Sequence, residues 1–193
     1  MKSIIKVMTL VVLFAAVNLF AQNDKDYSKY PGYVDFGNLT KFEKGDNVTE
    51  VNIEENLLKM VGKMAEGEDN ALSEMLSGLK LVKVSSFKTD ASDANDIMSK
   101  ISEIDKKLTS ENWNRIVKAK TSRSYSNVYI KTSPDGNSIQ GLAVTNFEKD
   151  GEASFVNIVG KINLETIGKL GKKFDIPSLD KIKKHKPEDK DEN

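Results

Sequence analysis

The sequence predicts an α+β fold, an antiparallel β-sheet ending in a C-terminal four-strand meander, with helices packed mainly on one face. Three observations carry this. Apolar residues recur at helical spacing before Trp113 and alternate at strand spacing after it. Tight-turn chemistry, Ser133-Pro134-Asp135-Gly136 and Lys149-Asp150-Gly151, joins the late strands, as antiparallel neighbours require. Helices therefore cluster early and strands late, the pattern of an antiparallel sheet with helices against it rather than of alternating βαβ units.

At the N-terminus, Lys2 and Lys6 precede an apolar run from Val7 to Val17 that leads into Phe20-Ala21-Gln22. This run has the length of a signal peptide, whereas a spanning helix needs about 20 apolar residues. Cleavage after Ala21 is expected, leaving a periplasmic or secreted protein with no stable membrane insertion after signal removal. The chain contains no cysteine. A lipid-modified cysteine is thereby excluded, and stability must come from packing rather than disulfides. Residues 22–29 read as a polar, flexible lead-in, 30–179 as one domain, and 180–193 as a charged tail that is expected to be disordered.

Within the domain, Val48 to Ile53 alternates as a strand. Asn52 followed by Glu55 reads as a capping-box start of a helix whose apolar face is Leu57, Leu58, Val61 and Met64, ending at Gly67. A second helix is predicted from Asn70 to Ser77, with Gly78 as a left-handed stop. Leu79 to Phe87 reads as a strand apolar on both faces. The clearest helix spans Asp93 to Leu108, where Ala94, Ile97, Met98, Ile101, Ile104 and Leu108 oppose Lys100, Glu103, Lys106 and Lys107. Four strands follow, Ile116 to Ser122, Asn127 to Thr132, Ser138 to Phe147 and Ala153 to Gly160. Asn163 then caps a closing helix through Leu164, Ile167 and Leu170.

Composition narrows the chemistry. The single histidine, His185, lies in the charged tail, so histidine-dependent triads are excluded, as are cysteine nucleophiles, zinc sites and haem ligation. No glycine-rich phosphate loop opens a helix, since Gly168 and Gly171 fall within or just after the last one. Asp93 and Asp96 lack the spaced oxygens of a calcium loop and suit a helix N-terminus. The sequence nominates no catalytic residue, cofactor site or metal site; a carboxylate-based hydrolase is the remaining enzymatic option. Lys2 and Lys6 leave with the leader and no acid does, so 29 Lys and Arg fall to 27 against 29 Asp and Glu, a balance of −2. Nucleic acid and anionic membranes call for a basic surplus, so neither is an expected partner.

Two aromatic sets are candidate interaction surfaces. Tyr30, Tyr33 and Phe36 recur every third residue together with Tyr27, and Tyr125 and Tyr129 lie on the meander near Trp113. For each set packing in the core is the competing reading, because aromatics are usually buried. A tyrosine ridge would present in an extended segment; the packed alternative is an edge strand covering the sheet.

The strings Tyr30-Pro31-Gly32-Tyr33-Val34-Asp35-Phe36, Glu50-Val51-Asn52-Ile53, Leu57-Leu58-Lys59-Met60-Val61 and Phe155-Val156-Asn157-Ile158-Val159-Gly160-Lys161-Ile162-Asn163-Leu164, with Trp113 between them, resemble the small exported proteins of the domain of unknown function 4252 family. The resemblance runs from about Tyr30 to Leu179. It implies an envelope protein of Gram-negative bacteria and no known catalytic residue, and the neighbourhood of extracytoplasmic sigma factors in which such proteins are encoded hints at envelope stress signalling. The expected function is a non-catalytic interaction protein with an unknown protein partner in the cell envelope. A small-ligand or lipid carrier, with an apolar pocket between sheet and helices, is the alternative.

Overall fold

A computed structural model describes residues 25–44 and 47–162. The predicted leader, the closing helix from Asn163 and the charged tail lie outside the described residues. Strand β1 (Val48–Glu54) runs directly into helix α1 (Glu55–Ala65), followed by α2 (Asn70–Gly78), β2 (Leu79–Lys88) and α3 (Ala94–Ser110). Then come β3 (Asn114–Lys120), β4 (Ser124–Thr132), β5 (Ile139–Glu148) and β6 (Glu152–Ile162). All six strands form one antiparallel sheet in the order β1-β2-β6-β5-β4-β3.

The meander β3 to β6 is the predicted one. Its turns use the predicted glycines, with Gly136 at φ +73° and Gly151 at φ +95°, conformations that residues with a Cβ adopt only under strain. What joins the two halves of the chain is the pairing of β2 with β6, in which Val82 faces Ile158 and Val84 faces Val156.

Helices α1 and α2 pack on one face of the sheet and α3 on the other. Because successive side chains of a strand point to opposite faces, the fully buried run of β5 from Gly141 to Phe147 needs cover on both sides. On one side Val82, Val128, Leu142, Val144, Val156 and Ile158 meet Leu58 of α1 and Met75 and Leu76 of α2. On the other, Phe87, Tyr129, Ala143, Phe147 and Phe155 meet α3 and the segment Val34 to Phe42. Burying an aliphatic side chain contributes about 1.5–3 kcal/mol, and α3 offers four, Ile97, Ile101, Ile104 and Leu108.

Helix ends differ from the predicted caps in two places. Asn52 does not cap α1, because β1 stays paired to β2 through Glu54, opposite Leu81, and the helix begins at the next residue without a side-chain cap. Gly78 does not adopt a left-handed conformation; it closes α2 against β6, where a Cβ would stand 2.8 Å from the Lys161 carbonyl oxygen. Other ends follow local chemistry. Asp69 caps α2 by accepting from the Leu72 amide at 3.0 Å, and Asn112 ends α3 at φ 59° while the Trp113 amide donates to the Leu108 carbonyl.

The packed region begins earlier than the sequence suggests. Tyr27 to Lys29 form a 3-10 turn inside the predicted lead-in, and Tyr27 is buried. From there the chain crosses β5 at a point where Gly32 and Gly141 pass backbone to backbone; a Cβ on Gly141 would lie 2.4 Å from the Gly32 Cα. Asn157, fully buried, clamps this crossing. Its amide donates to the Gly32 and Leu142 carbonyls and its oxygen accepts from the Val34 amide at 2.9 Å.

Candidate functional site

The aromatic residues nominated from the sequence are mostly packing residues. Tyr27, Tyr30, Tyr33 and Phe36 do not line a strand or an exposed ridge; the segment is irregular beyond its 3-10 turn. Tyr30 and Tyr33 are half-buried against Tyr27, Leu81 and Val159, and Phe36 is buried with its ring centroid 5.5 Å from that of Phe155. Tyr27 also fastens the start of α1, since its hydroxyl donates to Glu54 and accepts from the Glu55 amide, both at 3.4 Å.

Tyr125 and Tyr129 do come together with other polar groups. Both lie on the β4 face that looks toward α3, where Asp105 supplies a carboxylate. Tyr125 donates to Asp105 at 3.0 Å and the Asn127 amide donates to both Asp105 oxygens at 2.9 Å. Arg115 completes the cluster from β3, 4.0 Å from Asp105 and donating to the Tyr129 hydroxyl at 3.4 Å. Burial, reinforced by the adjacent Asp105 carboxylate, pushes the Tyr129 hydroxyl up to about 12, and burial also raises Tyr125. Both phenols stay protonated at neutral pH and offer no proton for exchange there. The arrangement pins α3 to the sheet through a satisfied carboxylate. Beneath it, the Asn127 side-chain oxygen and the Thr145 hydroxyl, opposite each other in register, are buried without a hydrogen-bond partner.

A second charged cluster surrounds Glu55 at the first turn of α1. This buried carboxylate accepts from Lys25, from Lys59 at 2.8 Å and from Lys80 at 2.6 Å. Hydrogen bonds from Lys25, Lys59 and Lys80, in that order, lower its pKa to about 2. Three ammonium groups share one carboxylate, so the cluster ties the N-terminal segment, α1 and β2 together and leaves a local surplus of positive charge.

The most distinctive surface was missed by sequence reasoning. Of the four residues predicted as the inward face of α1, only Leu58 is buried. Leu57, Met60, Val61 and Met64, spaced i, i+3, i+4 and i+7, form an outward stripe, and they are 44, 55, 41 and 75% exposed. The reason is the close approach of α2. Gly62 faces it so tightly that a Cβ would meet the Ser73 carbonyl oxygen at 3.2 Å, which rotates the Leu58–Gly62 side inward and the Met64 side out. Beside the stripe runs an open groove of about 380 Å³ between α1 and α2, lined by Asn56, Lys59, Met60, Lys63 and Ser77. The sequence did hold a signal, because Met60 joins Leu57, Leu58, Val61 and Met64 in an apolar arc wider than one packed face.

Among the described residues no group of three or more His, Cys, Asp or Glu side chains is placed to hold a metal ion, and no helix is long and apolar enough to cross a membrane. Comparison with curated proteins and with solved structures finds no match. The family model described as Domain of unknown function (DUF4252) matches residues 42–170, a span that contains α1, the Asp105 cluster and the whole sheet.

Proposed function

We propose, for a chain that belongs to the family described as domain of unknown function DUF4252, that it is an exported envelope protein acting by binding a protein partner through the outer face of α1. The observation that carries this reading is the stripe Leu57, Met60, Val61 and Met64. Scattered exposed apolar residues are ordinary on a protein surface, but four at helical-face spacing on one helix form a contiguous patch of the kind used in recognition. Methionine, with its flexible and polarizable side chain, suits such a surface.

Binding is favoured over catalysis because the best-placed carboxylate, Asp105, is occupied by Tyr125, Asn127 and Arg115, and the tyrosines beside it hold their protons. It is favoured over ligand carriage because the described spaces between sheet and helices are filled by side chains no more than 8% exposed, and the grooves beside α1 and along α3 open on the surface. Export, in a periplasmic or secreted form, is supported by the leader ending at Ala21, and a part in envelope stress signalling by the family setting.

A photo-crosslinking residue placed at Met64 in the native cell should yield a discrete protein adduct, while the same residue at Lys106, on the exposed side of α3, should not. Equal labelling at both positions would remove the assignment of the surface. Intact mass of the mature protein should begin at Gln22; a chain retaining Met1 to Ala21 would overturn the export reading.

A further inference from the structure

We infer that the partner docks as an amphipathic helix that carries acidic residues along the flank facing Lys59 and Lys63. This inference rests on the reading of the α1 outer face as a protein-binding surface and adds the chemistry of the occupant. Lys59 and Lys63 stand one turn apart on the polar side that borders Met60 and Met64, and both line the groove toward α2 together with Asn56 and Ser77. Neither is neutralised one for one. Lys59 shares Glu55 with Lys25 and Lys80, and among the described residues Lys63 has no carboxylate partner. An incoming carboxylate would therefore find two ammonium donors at the rim of an apolar stripe, with the apolar contact supplying affinity and the lysines fixing direction and register.

The length of the site agrees with a helix. From Leu57 to Met64 the stripe covers two turns, about 10 Å along the axis, and i, i+3, i+4, i+7 residues of a docking helix present the same spacing. Two other occupants of an exposed apolar helix, from outside the chain, fit less well. A second copy laid antiparallel along α1 would bring Lys59 and Lys63 against their own counterparts, a juxtaposition of like charge. An anionic bilayer would meet Glu66, Glu68 and Asp69, exposed directly beyond the Met64 end of the helix, and the mature chain carries no basic surplus to offset them.

The test uses the full mature chain as bait for a display library of helical peptides about 14 residues long, four turns. Their apolar face is varied among Leu, Ile, Phe and Met, and their flanks carry either Glu or Lys. Glu-flanked sequences should be recovered over Lys-flanked ones by about fivefold or more, the worth of two exposed ion pairs. The double variant Lys59→Glu/Lys63→Glu should reverse that preference, and Met60→Gln/Met64→Gln should lose both classes. Equal recovery of the two classes, or a preference unchanged by the charge reversal, overturns the acidic partner. If that equal recovery is still lost in the Met60→Gln/Met64→Gln chain, the surface stands and only the acidic flank falls; recovery indifferent to those two methionines removes the surface as well. No recovery of either class, with co-sedimentation on phosphatidylglycerol vesicles or a concentration-dependent dimer abolished by Met64→Gln, would replace the helix by a bilayer or a second copy and sink the proposal.

Discussion

Helices α1 and α3 are both amphipathic, yet they meet the sheet in opposite ways. Helix α3 turns Ile97, Ile101, Ile104 and Leu108 inward, none more than 3% exposed, and locks its border with Asp105. Helix α1 buries Leu58 and leaves a four-residue apolar stripe in solvent. The contrast separates two uses of the same periodicity. An apolar face that fills the gap above a sheet is accounted for by folding, whereas one that exceeds the gap stays in solvent, and it is there that we propose a partner docks. Substitutions in the two helices should accordingly divide between stability and recognition.

The largest loss of stability is expected on the α3 side. Trp113, 5% exposed just past the end of α3, should cost about 3–5 kcal/mol as Trp113→Ala, and Leu108→Ala about 2–5 kcal/mol. Urea unfolding reads both, and a loss below about 1 kcal/mol at either site would break the comparison, since it would show α3 packed as loosely as the outer side of α1.

Next in size is the border itself. Asp105→Ala leaves the Tyr125 hydroxyl without its acceptor and the Asn127 amide with only the Tyr125 hydroxyl, at 3.1 Å, a loss of about 1–3 kcal/mol to which the more exposed Arg115 adds little. Asp105→Asn should recover part of that, because the amide oxygen still accepts. Urea midpoints of both variants that match the wild type would show that the carboxylate does not anchor α3.

The Glu55 cluster provides a pH-dependent comparison within α1. Its carboxylate has a folded pKa lowered from 4.5 to about 2, so its contribution to stability is complete above about 4.5 and is lost as pH falls from there toward about 2. Stability followed by urea denaturation across that window should fall less steeply with acidification in Glu55→Gln than in the wild type. Parallel pH profiles would mean that the lysines around Glu55 give no net support in the folded state.

The smallest effect is expected on the outer stripe. Met64, 75% exposed, should change stability by no more than about 0.5 kcal/mol as Met64→Gln, and Leu57→Gln little more. A loss on the scale of Leu108→Ala would place the stripe in the core after all.

Sequence reasoning located the meander because period-two alternation and turn chemistry are local signals, and the strands from Asn114 to Ile162 depart from the expected bounds by only a few residues. It located α3 for the same reason. What it missed was non-local. The pairing of β2 with β6 joins residues more than 60 positions apart, and the orientation of α1 follows from Gly62 fitting against α2. Tyr125 and Tyr129 were recognisable as candidates, but the partner that turns them into a clamp, Asp105, reads in sequence as one more charged residue on a helix. Tyr30, Tyr33 and Phe36, read from sequence as an interaction ridge or an edge strand, lie in an irregular segment with Phe36 buried and the two tyrosines half-buried.

The central claim is that the apolar surplus of α1 exists for recognition. It is tested most directly by the amount of partner captured from the cell envelope by Met60→Gln/Met64→Gln protein, relative to wild type at equal folded concentration. The account predicts that the variant unfolds at the wild-type urea midpoint, within about 0.5 kcal/mol, and captures less than about a tenth of the partner, the scale of losing two central contacts of an interface. Full capture by the folded variant would contradict it.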